Sequence, residues 1–318
     1  MSEKGIDTRL VYGFLDAGKT TYIQDCIQSD YFYKYGSTLI LCFEEGERAF
    51  DTDALTERRT AVAYYDGTEE VATFCESRIK AYHPDRIYVE MNTMMEGLRN
   101  QLPASLRVTY AITWIDWTTL KLFFINFRQM MGRMIADSHQ VIFRGCPSKE
   151  LLSPYSQDFR LMNQKASYLR QDPMGYHEKA FDLFLPFSLE DEEISVTEER
   201  YLPLWLDAFD HPEHYEGKRL RFTDPLELRQ NGTEGHWSAG RVVMTCCMAD
   251  LQFMAFEITE AAELTEEGWV SFDSLARTET DAYGRRSMKL KPVSIRYASA
   301  PKNRIMNSRQ PPSSGDEE

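Results

Sequence analysis

The stretch that decides the fold is Gly13-Phe14-Leu15-Asp16-Ala17-Gly18-Lys19-Thr20, residues 13–20. It matches the pattern G-x-x-x-x-G-K-T without a gap, and the probability of a chance match in a chain of 318 residues is on the order of 1%. A strand-like run (9–12) precedes it and a helical pattern (19–28) follows it. In this context the glycines let backbone N–H groups point at phosphate oxygens, and the N-terminus of the helix adds its dipole. The stretch therefore predicts a phosphate-binding loop.

Two side chains of this loop have predicted roles of their own. Lys19 is expected to reach the β- and γ-phosphates of a nucleotide and to act in catalysis. The hydroxyl of Thr20 is expected to ligate Mg²⁺. The residues expected to surround the phosphates of bound GTP, or of ATP as the alternative, are Gly13, Asp16, Ala17, Gly18, Lys19, Thr20 and Thr21.

Acidic side chains follow two of the predicted strands. A phosphate-binding loop needs a carboxylate at the end of a neighbouring strand to hold the hydrated metal. Glu90 ends the strand-like run 86–90 and is predicted to organise Mg²⁺ and to serve catalysis; a merely solvated glutamate is the alternative. In the stretch Glu44-Glu45-Gly46-Glu47, which follows the second strand, Glu45 is predicted to position water or metal. A plain acidic turn is the alternative there.

The first 188 residues alternate strand-like and helix-like segments. Short β-branched or aromatic runs lie at 9–12, 38–43, 61–65, 86–90, 108–115, 140–143 and 180–185. Helical periodicity lies at 19–28, 69–81, 118–135 and 156–170. Strands that alternate with helices form right-handed βαβ units. Residues 1–188 are therefore predicted to be an α/β P-loop NTPase domain with a mainly parallel sheet.

The pattern changes after residue 188. Residues 189–214 are acidic and carry an amphipathic piece, Tyr201–Phe209, so they are predicted to form a helical linker. In residues 215–300, strand-like runs lie at 219–223, 240–246, 253–258, 269–272 and 293–298. Five short strands separated by turn residues predict a small β-barrel of the OB type. The tail, residues 301–318, is predicted to be disordered.

The composition limits the partners and the location. A net charge of −14 argues against nucleic acid and against an anionic membrane surface, because both attract a basic face. The N-terminus lacks the apolar run of a signal peptide, and no apolar stretch is long enough for direct membrane insertion. Six cysteines without repeated spacing do not form a disulfide framework and predict a reducing, cytoplasmic location.

Several segments together resemble a known family. They are the loop 13–20 with Thr21, the Gly46-Glu47 of the acidic segment, and the strand that ends at Glu90. Later pieces are Trp114-Ile115-Asp116, Asn126-Phe127-Arg128 and Ala136-Asp137. From residue 9 to about 185 the chain resembles the CobW/HypB/UreG-type P-loop GTPases, which serve metal-centre assembly and metal homeostasis. The resemblance implies a Mg²⁺-dependent GTP-binding protein, with a metalloprotein client as its partner.

Three features depart from that family. Where its members read guanine with Asn-Lys-x-Asp, this chain has Arg144-Gly145-Cys146-Pro147, so no aspartate is present to read the base. The glycine of the family's Glu-x-x-Gly motif is replaced by Thr93. The family's Gly-Cys-x-Cys-Cys motif is missing between residues 48 and 85, which excludes metal delivery by that motif.

The C-terminal region carries a second resemblance. It rests on 215–218, on 241–250 with Cys246-Cys247-Met248-Ala249-Asp250, and on 268–270. These segments resemble a small β-domain of a permease-subunit family whose signature is Cys-Cys-x-Ala-Asp. This resemblance implies a membrane permease as partner.

Histidines and cysteines of the same region are candidate metal ligands. Cys246 and Cys247 are predicted as a Zn²⁺ site that needs two more ligands, with His236 or Asp250 as candidates. The alternative is that both cysteines pack in a barrel wall. His211 and His214, three residues apart, are interpreted as surface residues of the linker.

Three hypotheses of function follow. The first is a Mg²⁺-dependent GTPase coupled to metal trafficking or to a transporter, and Lys19, Thr20 and Glu90 favour it. The second is a nucleotide-binding switch or adaptor with weak turnover and relaxed base specificity, which 144–147 and Thr93 favour. The third, an ATP-using enzyme, follows only from the missing guanine motif.

Overall fold

The chain folds into two compact units. The structure is a computed structural model, and it describes residues 5–29, 36–46, 48–231, 236–244, 251–260 and 264–307. The first unit is formed by Met1–Pro154 with Lys165–Phe181, and the second by Tyr155–Gln164 with Asp182–Glu318. The predictions for Glu47, Cys246, Cys247 and the tail beyond residue 307 fall outside the described residues. Among the helices of the described ranges, none combines the length and apolarity needed to cross a bilayer.

An eight-stranded sheet forms the centre of the first unit. Its strands are β1 (Ile6–Gly13), β2 (Thr38–Cys42), β3 (Thr60–Tyr64), β4 (Arg86–Glu90), β5 (Leu106–Asp116), β6 (Gln140–Arg144), β7 (Ser167–Gln171) and β8 (His177–Lys179). Their order is β3-β2-β4-β1-β5-β6-β7-β8, and every pair is parallel except β7 with β8. The helices are α1 (Lys19–Gln28), α2 (Thr52–Glu57), α3 (Val71–Tyr82), α4 (Leu98–Gln101), α5 (Trp117–Asn126) and α6 (Arg128–Ala136). The predicted α/β fold with a mainly parallel sheet is confirmed.

The central strands of this sheet are covered on both faces. Every residue of β2 and of β4 is buried, which is the pattern of parallel strands between two helical layers. The carboxyl ends of parallel strands lie at one edge of a sheet, where open α/β folds bind their ligands. Because β4 lies between β1 and β2, the phosphate loop, Glu90 and the acidic segment after β2 meet at that edge.

One predicted helix of the first unit is two helices. The pattern 118–135 divides into α5 and α6 because Phe127 leaves helical geometry, with φ −128° and ψ 31°. The ring of Phe127 packs against Phe14 and Phe123, with centroids 6.1 and 5.8 Å away. Phe14 also stacks on Phe123 at 4.0 Å. The break therefore places aromatic side chains against the phosphate loop.

The prediction for residues 156–185 was wrong in two places. The pattern 156–170 covers a short helix, α7 (Ser156–Met162), and then strand β7, because the chain turns extended at Asn163 with φ −157°. Residues 180–185 are not a strand; the edge strand β8 ends before them. The short helices α2 and α4 were not predicted.

The second unit contains a closed β-barrel. Its further elements are β9 (Glu193–Val196), α8 (Glu198–Asp210), β10 (Arg219–Phe222), β11 (Leu226–Asn231), β12 (His236–Met244), β13 (Leu251–Ile258), β14 (Gly268–Thr280), β15 (Arg286–Tyr297) and β16 (Ile305–Asn307). Five strands close in the order β11-β12-β13-β15-β14 and back to β11. Counted along the chain this is the closed order 1-2-3-5-4-1, a five-stranded Greek-key barrel of the OB type. The predicted OB-like barrel is confirmed.

The first strand of the barrel differs from the prediction. The run 219–223 is β10, which pairs with β14 and with β9 but lies outside the closed ring. The ring begins instead with β11, in which Leu226 and Leu228 are buried and pair with β12 and β14. Only these two apolar residues mark β11 in the sequence, and the preceding Pro225 made it resemble a turn.

The helix expected in the acidic linker belongs to the core of the second unit. Tyr201 of α8 donates its hydroxyl hydrogen to the Met254 carbonyl oxygen at 2.7 Å, and Trp205 Nε1 donates to the Ala255 carbonyl oxygen at 3.0 Å. Apolar residues of α8 share one hydrophobic cluster with the barrel. Thus the acidic residues of 189–214 flank a packed helix, while the proposed boundaries at 188 and 215 stay predictions.

Candidate nucleotide-binding site

The phosphate loop has the backbone that its glycines were expected to provide. Gly13 has φ 151°, and a Cβ there would lie 2.6 Å from the Trp114 carbonyl oxygen. Gly18 precedes α1 with φ 104°, and a Cβ there would lie 3.0 Å from Cδ of Arg144. Asp16 is also left-handed, with φ 59°. The loop therefore wraps the N-terminus of a ten-residue helix, a geometry that presents backbone N–H groups to an anion.

Lys19 lies inside this loop rather than in solvent. The residue is 3% exposed, and its Nζ donates to the carbonyl oxygens of Gly13 and Phe14, both at 2.9 Å. Its third partner is the carboxylate of Glu44, with which it forms an ion pair. A buried ammonium requires such partners, and Glu44 supplies the only carboxylate among these three.

Thr20 and Glu90 are joined at the start of α1. Thr20 Oγ1 donates to Glu90 Oε1 at 2.7 Å, and Cys42 Sγ donates to Glu90 Oε2 at 3.4 Å. Glu90 is 3% exposed, and this burial raises the pKa of its carboxyl above the ordinary value, although Thr20 and Lys19 oppose the shift. A hydroxyl and a carboxylate are hard oxygen ligands, so the pair fits the first or second coordination shell of Mg²⁺.

The acidic segment after β2 lies over the loop. A Cβ on Gly46 would come within 3.1 Å of Asp16 Oδ1, which places the segment beside the loop. Glu44 is the acid that reaches Lys19, whereas Glu45 is exposed. The catalytic role predicted for Glu45 stays a prediction. The contact between Glu44 and Lys19 was not predicted from the sequence.

Thr93 ties the segment after β4 to the phosphate loop. Its Oγ1 donates to the carbonyl oxygen of Gly13 at 2.8 Å and lies 3.1 Å from Sδ of Met134. The Gly13 carbonyl therefore accepts hydrogen bonds from both Lys19 and Thr93. A threonine in place of the family's glycine thus makes a contact that glycine lacks.

An arginine occupies the place where the resembling family reads the base. Arg144 Nη1 lies 3.6 Å from Asp116 Oδ2 and donates to the Asp16 carbonyl oxygen at 3.4 Å. Asp116 also caps α5 by accepting from the Thr118 N–H at 2.8 Å. The pairing of Asp116 with Arg144 follows from strand register, since the two are direct partners across β5 and β6. Sequence reasoning missed this pair.

The segment after β6 is held by a network of hydrogen bonds. The Cys146 carbonyl oxygen accepts from Arg170 Nη1 at 2.5 Å, and Cys146 Sγ donates to the Ser148 carbonyl oxygen at 3.2 Å. The guanidinium of Arg170 also donates twice to Glu178 Oε1, at 2.8 and 2.6 Å. Cys146 is therefore a packed residue, and neither it nor Pro147 supplies a side-chain acceptor for guanine.

Two cavities flank Arg144. One has a volume of about 390 Å³ and is lined by Gly18, Thr21, Tyr22, Asp25, Cys26, Ser29, Trp114, Arg144, Gln171, Gly175 and His177. The other has about 400 Å³ and is lined by Asp116, Thr118, Arg144, Gly145, Gln171, Asp172, Pro173, Met174 and Gly175. Trp114 is buried, and its Nε1–H finds no acceptor within the part of the chain that the structure describes.

Comparison with known proteins gives one family and several structures. The DUF1980 C-terminal domain matches residues 176–305, a range that begins before the barrel and ends within β16. No curated protein matches the chain. Similar solved structures include the hydrogenase maturation factor HypB from Archaeoglobus fulgidus, with 14% identity over 54% of this chain and 83% of that chain and a TM-score of 0.38. The Zn(II)-bound YjiA GTPase from E. coli has 13% identity over 91% and 93% of the two chains and a TM-score of 0.39.

Proposed function

We propose that the first unit binds a nucleoside triphosphate together with Mg²⁺ and hydrolyses it, acting as a GTPase in metal homeostasis or metal-centre assembly. The observation that carries the proposal is the buried Lys19, which the loop carbonyls hold at the N-terminus of α1 beside the Thr20–Glu90 pair. Lysine in a loop that closes a helix N-terminus is the arrangement by which proteins hold β- and γ-phosphates.

The residues of the phosphate-loop site have separate roles in this proposal. Backbone N–H groups of the loop and the start of α1 would hold the phosphate oxygens, and Lys19 would supply a positive charge. Thr20 and Glu90 would hold Mg²⁺, which neutralises phosphate charge when it is bound. Trp114, Thr21 and Arg144 line the cavity in which the nucleoside would lie.

The contact between Lys19 and Glu44 makes Glu44 a competitor of the phosphate. A phosphate that approaches Lys19 must displace the Glu44 carboxylate, because both bind the same buried ammonium. The released Glu44 and the exposed Glu45 would then lie on the segment that covers the loop. In this proposal Glu44 sets the affinity and Glu45 positions water for hydrolysis.

Replacing each of the two glutamates in turn by glutamine tests these separate roles of Glu44 and Glu45. Glu44→Gln should bind GTP roughly tenfold more tightly, about 1.4 kcal/mol, because a neutral amide competes less well for Lys19. Glu45→Gln should leave the affinity unchanged and slow phosphate release from GTP by roughly tenfold or more. Calorimetry and a phosphate-release assay, each with Mg²⁺ and with EDTA, measure the two quantities. The GTPase proposal fails if the wild-type chain releases no phosphate from GTP with Mg²⁺.

A second candidate function is a nucleotide-binding switch or adaptor with relaxed base specificity. The observation that favours it is the Arg144–Asp116 pair, because it occupies the base-reading position and engages the nearby carboxylate. A site without a dedicated acceptor for the guanine N–H groups loses the hydrogen-bond discrimination that such an acceptor provides.

We therefore expect GTP and ATP to compete on similar terms. Their dissociation constants should differ by less than about tenfold, against the ~10⁴-fold that a hydrogen-bonding site achieves. Displacement of a fluorescent GTP analogue by unlabelled GTP, ATP and CTP gives the three constants directly. A thousand-fold preference for GTP would show that another residue reads guanine.

The partners and the location are proposals that rest on the sequence resemblances. A metalloprotein client or a membrane permease would receive the signal of the nucleotide state, and the chain would act in the cytoplasm without inserting into the membrane. The Zn²⁺ site at Cys246 and Cys247 stays a prediction, since both lie outside the described residues.

A further inference from the structure

Two histidines and a glutamate come together in the second unit. His211 follows the last residue of α8, and His214 lies in the 3₁₀ turn Pro212–Tyr215. Their rings are stacked, with centroids 4.8 Å apart and planes 23° apart. One potential ligand atom from each of His211, Glu213 and His214 lies within 4.8 Å of the others. The turn thus collects three metal-binding side chains within four residues.

A buried carboxylate orients one of the histidines. Asp207 is 7% exposed, and its Oδ2 lies 2.9 Å from His214 Nδ1 and accepts from the Tyr215 hydroxyl at 2.9 Å. When His214 Nδ1 carries the hydrogen of this contact, the lone pair is on Nε2. A carboxylate that fixes the tautomer and orientation of a histidine is the usual outer partner of a metal-binding imidazole.

The surrounding charges favour a cation. The turn lies at the C-terminus of the 13-residue helix α8, where the partial charge is negative. Glu213 Oε1 lies 3.5 Å from His211 Nδ1, whereas Oε2 faces Arg286 at 3.3 Å. Arg286 engages one oxygen and leaves the other on the side of the imidazole.

We propose that His211, Glu213 and His214 form a site for a divalent transition metal, with Asp207 as the residue that positions His214. Two imidazoles and one carboxylate suit Zn²⁺ and related ions rather than Mg²⁺, which prefers oxygen ligands. A tetrahedral ion bound at about 2.0–2.1 Å needs donor atoms about 3.3 Å apart. The donor atoms lie within 4.8 Å of one another, so metal binding requires them to approach by up to about 1.5 Å, and water would be the fourth ligand.

The site is independent of the nucleotide proposal. None of its residues belongs to the first unit, and none takes part in the phosphate loop or its acidic segment. Because both histidines lie in the second unit, removing His211 or His214 should weaken metal binding without disturbing the first unit. Their surroundings differ, since His211 lies at the surface and contacts Glu213, while His214 contacts Asp207.

Imidazole NMR with Zn²⁺ as the probe tests the proposal. The full chain has six histidines, so ¹⁵N-labelled protein gives six imidazole spin systems, each with two ring nitrogens, that single substitutions assign. The experiment uses nucleotide-free protein with Cys246→Ser/Cys247→Ser, because this background removes the two thiols that the sequence predicts as Zn²⁺ ligands. Zn²⁺ should shift the signals of His211 and His214 and leave His83, His139, His177 and His236 unchanged.

Variants supply the controls. His211→Ala, at an exposed position outside the Asp207–Tyr215 contacts, should keep the melting temperature and weaken Zn²⁺ binding at least tenfold. His236→Ala, at another exposed histidine of the second unit, should keep full affinity. Asp207→Asn should weaken binding roughly tenfold or more and change the His214 tautomer signal. Zn²⁺ that leaves both imidazole signals in place, or binds His211→Ala as tightly as the background protein, would overturn the proposal.

Discussion

Lys19→Ala should weaken the binding of Mg²⁺–GTP by at least two orders of magnitude. The substitution removes a buried ammonium that the Gly13 and Phe14 carbonyls hold in the loop, so the phosphates keep only backbone donors. It also leaves Glu44 without its cation, and the unpaired carboxylate repels phosphate. Truncating one partner of a buried charge pair at a binding site costs about 2–5 kcal/mol or more, and a cost of about 3 kcal/mol lowers the affinity by about two orders of magnitude.

Calorimetry with GTP and Mg²⁺ measures this loss. Lys80→Ala is the matched control, because Lys80 is an exposed lysine on α3 of the same unit. A loss caused by unfolding is separated by a second variant, Lys19→Ala/Glu44→Gln, which also removes the charge that Lys19 neutralised on Glu44. That double variant should recover the melting temperature of the wild type but not its affinity. Unchanged affinity in Lys19→Ala contradicts the assignment of the phosphate loop.

Glu90→Gln should stabilise the nucleotide-free chain while abolishing the Mg²⁺ dependence of nucleotide binding. Burial raises the pKa of Glu90 above its ordinary value of 4.5, so the folded state disfavours the ionised form relative to the unfolded chain. The cost of ionisation therefore appears as pH rises above 4.5 and reaches its full size above the folded-state pKa. Glutamine has no such cost and still accepts the Thr20 hydrogen bond.

The two halves of this prediction are measured separately. Thermal unfolding without nucleotide should show a melting-temperature gain for Glu90→Gln that grows with pH through that window and then levels off. Binding titrations should show that Mg²⁺ strengthens GTP binding to the wild type roughly tenfold or more but does not strengthen binding to Glu90→Gln. Glu96→Gln, at an exposed glutamate of the first unit, should behave as the wild type. Mg²⁺ stimulation that survives in Glu90→Gln removes Glu90 from the metal site.

The sequence predicts those parts of the fold whose pattern lies within one continuous stretch of the chain. The buried runs of β2 and β4 and the loop between β1 and α1 are continuous in the chain, so periodicity and motif find them. The pattern 156–170 wrongly predicts one helix, because a short helix and a strand follow each other there with polar residues between them. Strand β11 is missed because its sequence contains only two apolar residues. Its extended conformation depends on the pairing with β12 and β14, which the local sequence does not show.

The candidate site divides in the same way. Lys19, Thr20 and Glu90 follow from a motif and a strand end, and the structure brings them together. The pairs Asp116–Arg144 and Cys42–Glu90 come from the register of parallel strands, which separations of 28 and 48 residues hide from the sequence. The stacked His211 and His214 depend on a turn at the end of α8, whose interpretation as linker concealed the contact with Asp207.

The most direct test of the nucleotide-binding proposal is a calorimetric titration of the nucleotide-free wild-type chain with GTP. It is carried out once with Mg²⁺ and once with EDTA. The proposal predicts one bound nucleotide per chain, a dissociation constant in the micromolar range or below (about −8 kcal/mol), and clearly weaker binding in EDTA. Absence of binding at millimolar GTP or ATP in the presence of Mg²⁺ would contradict it.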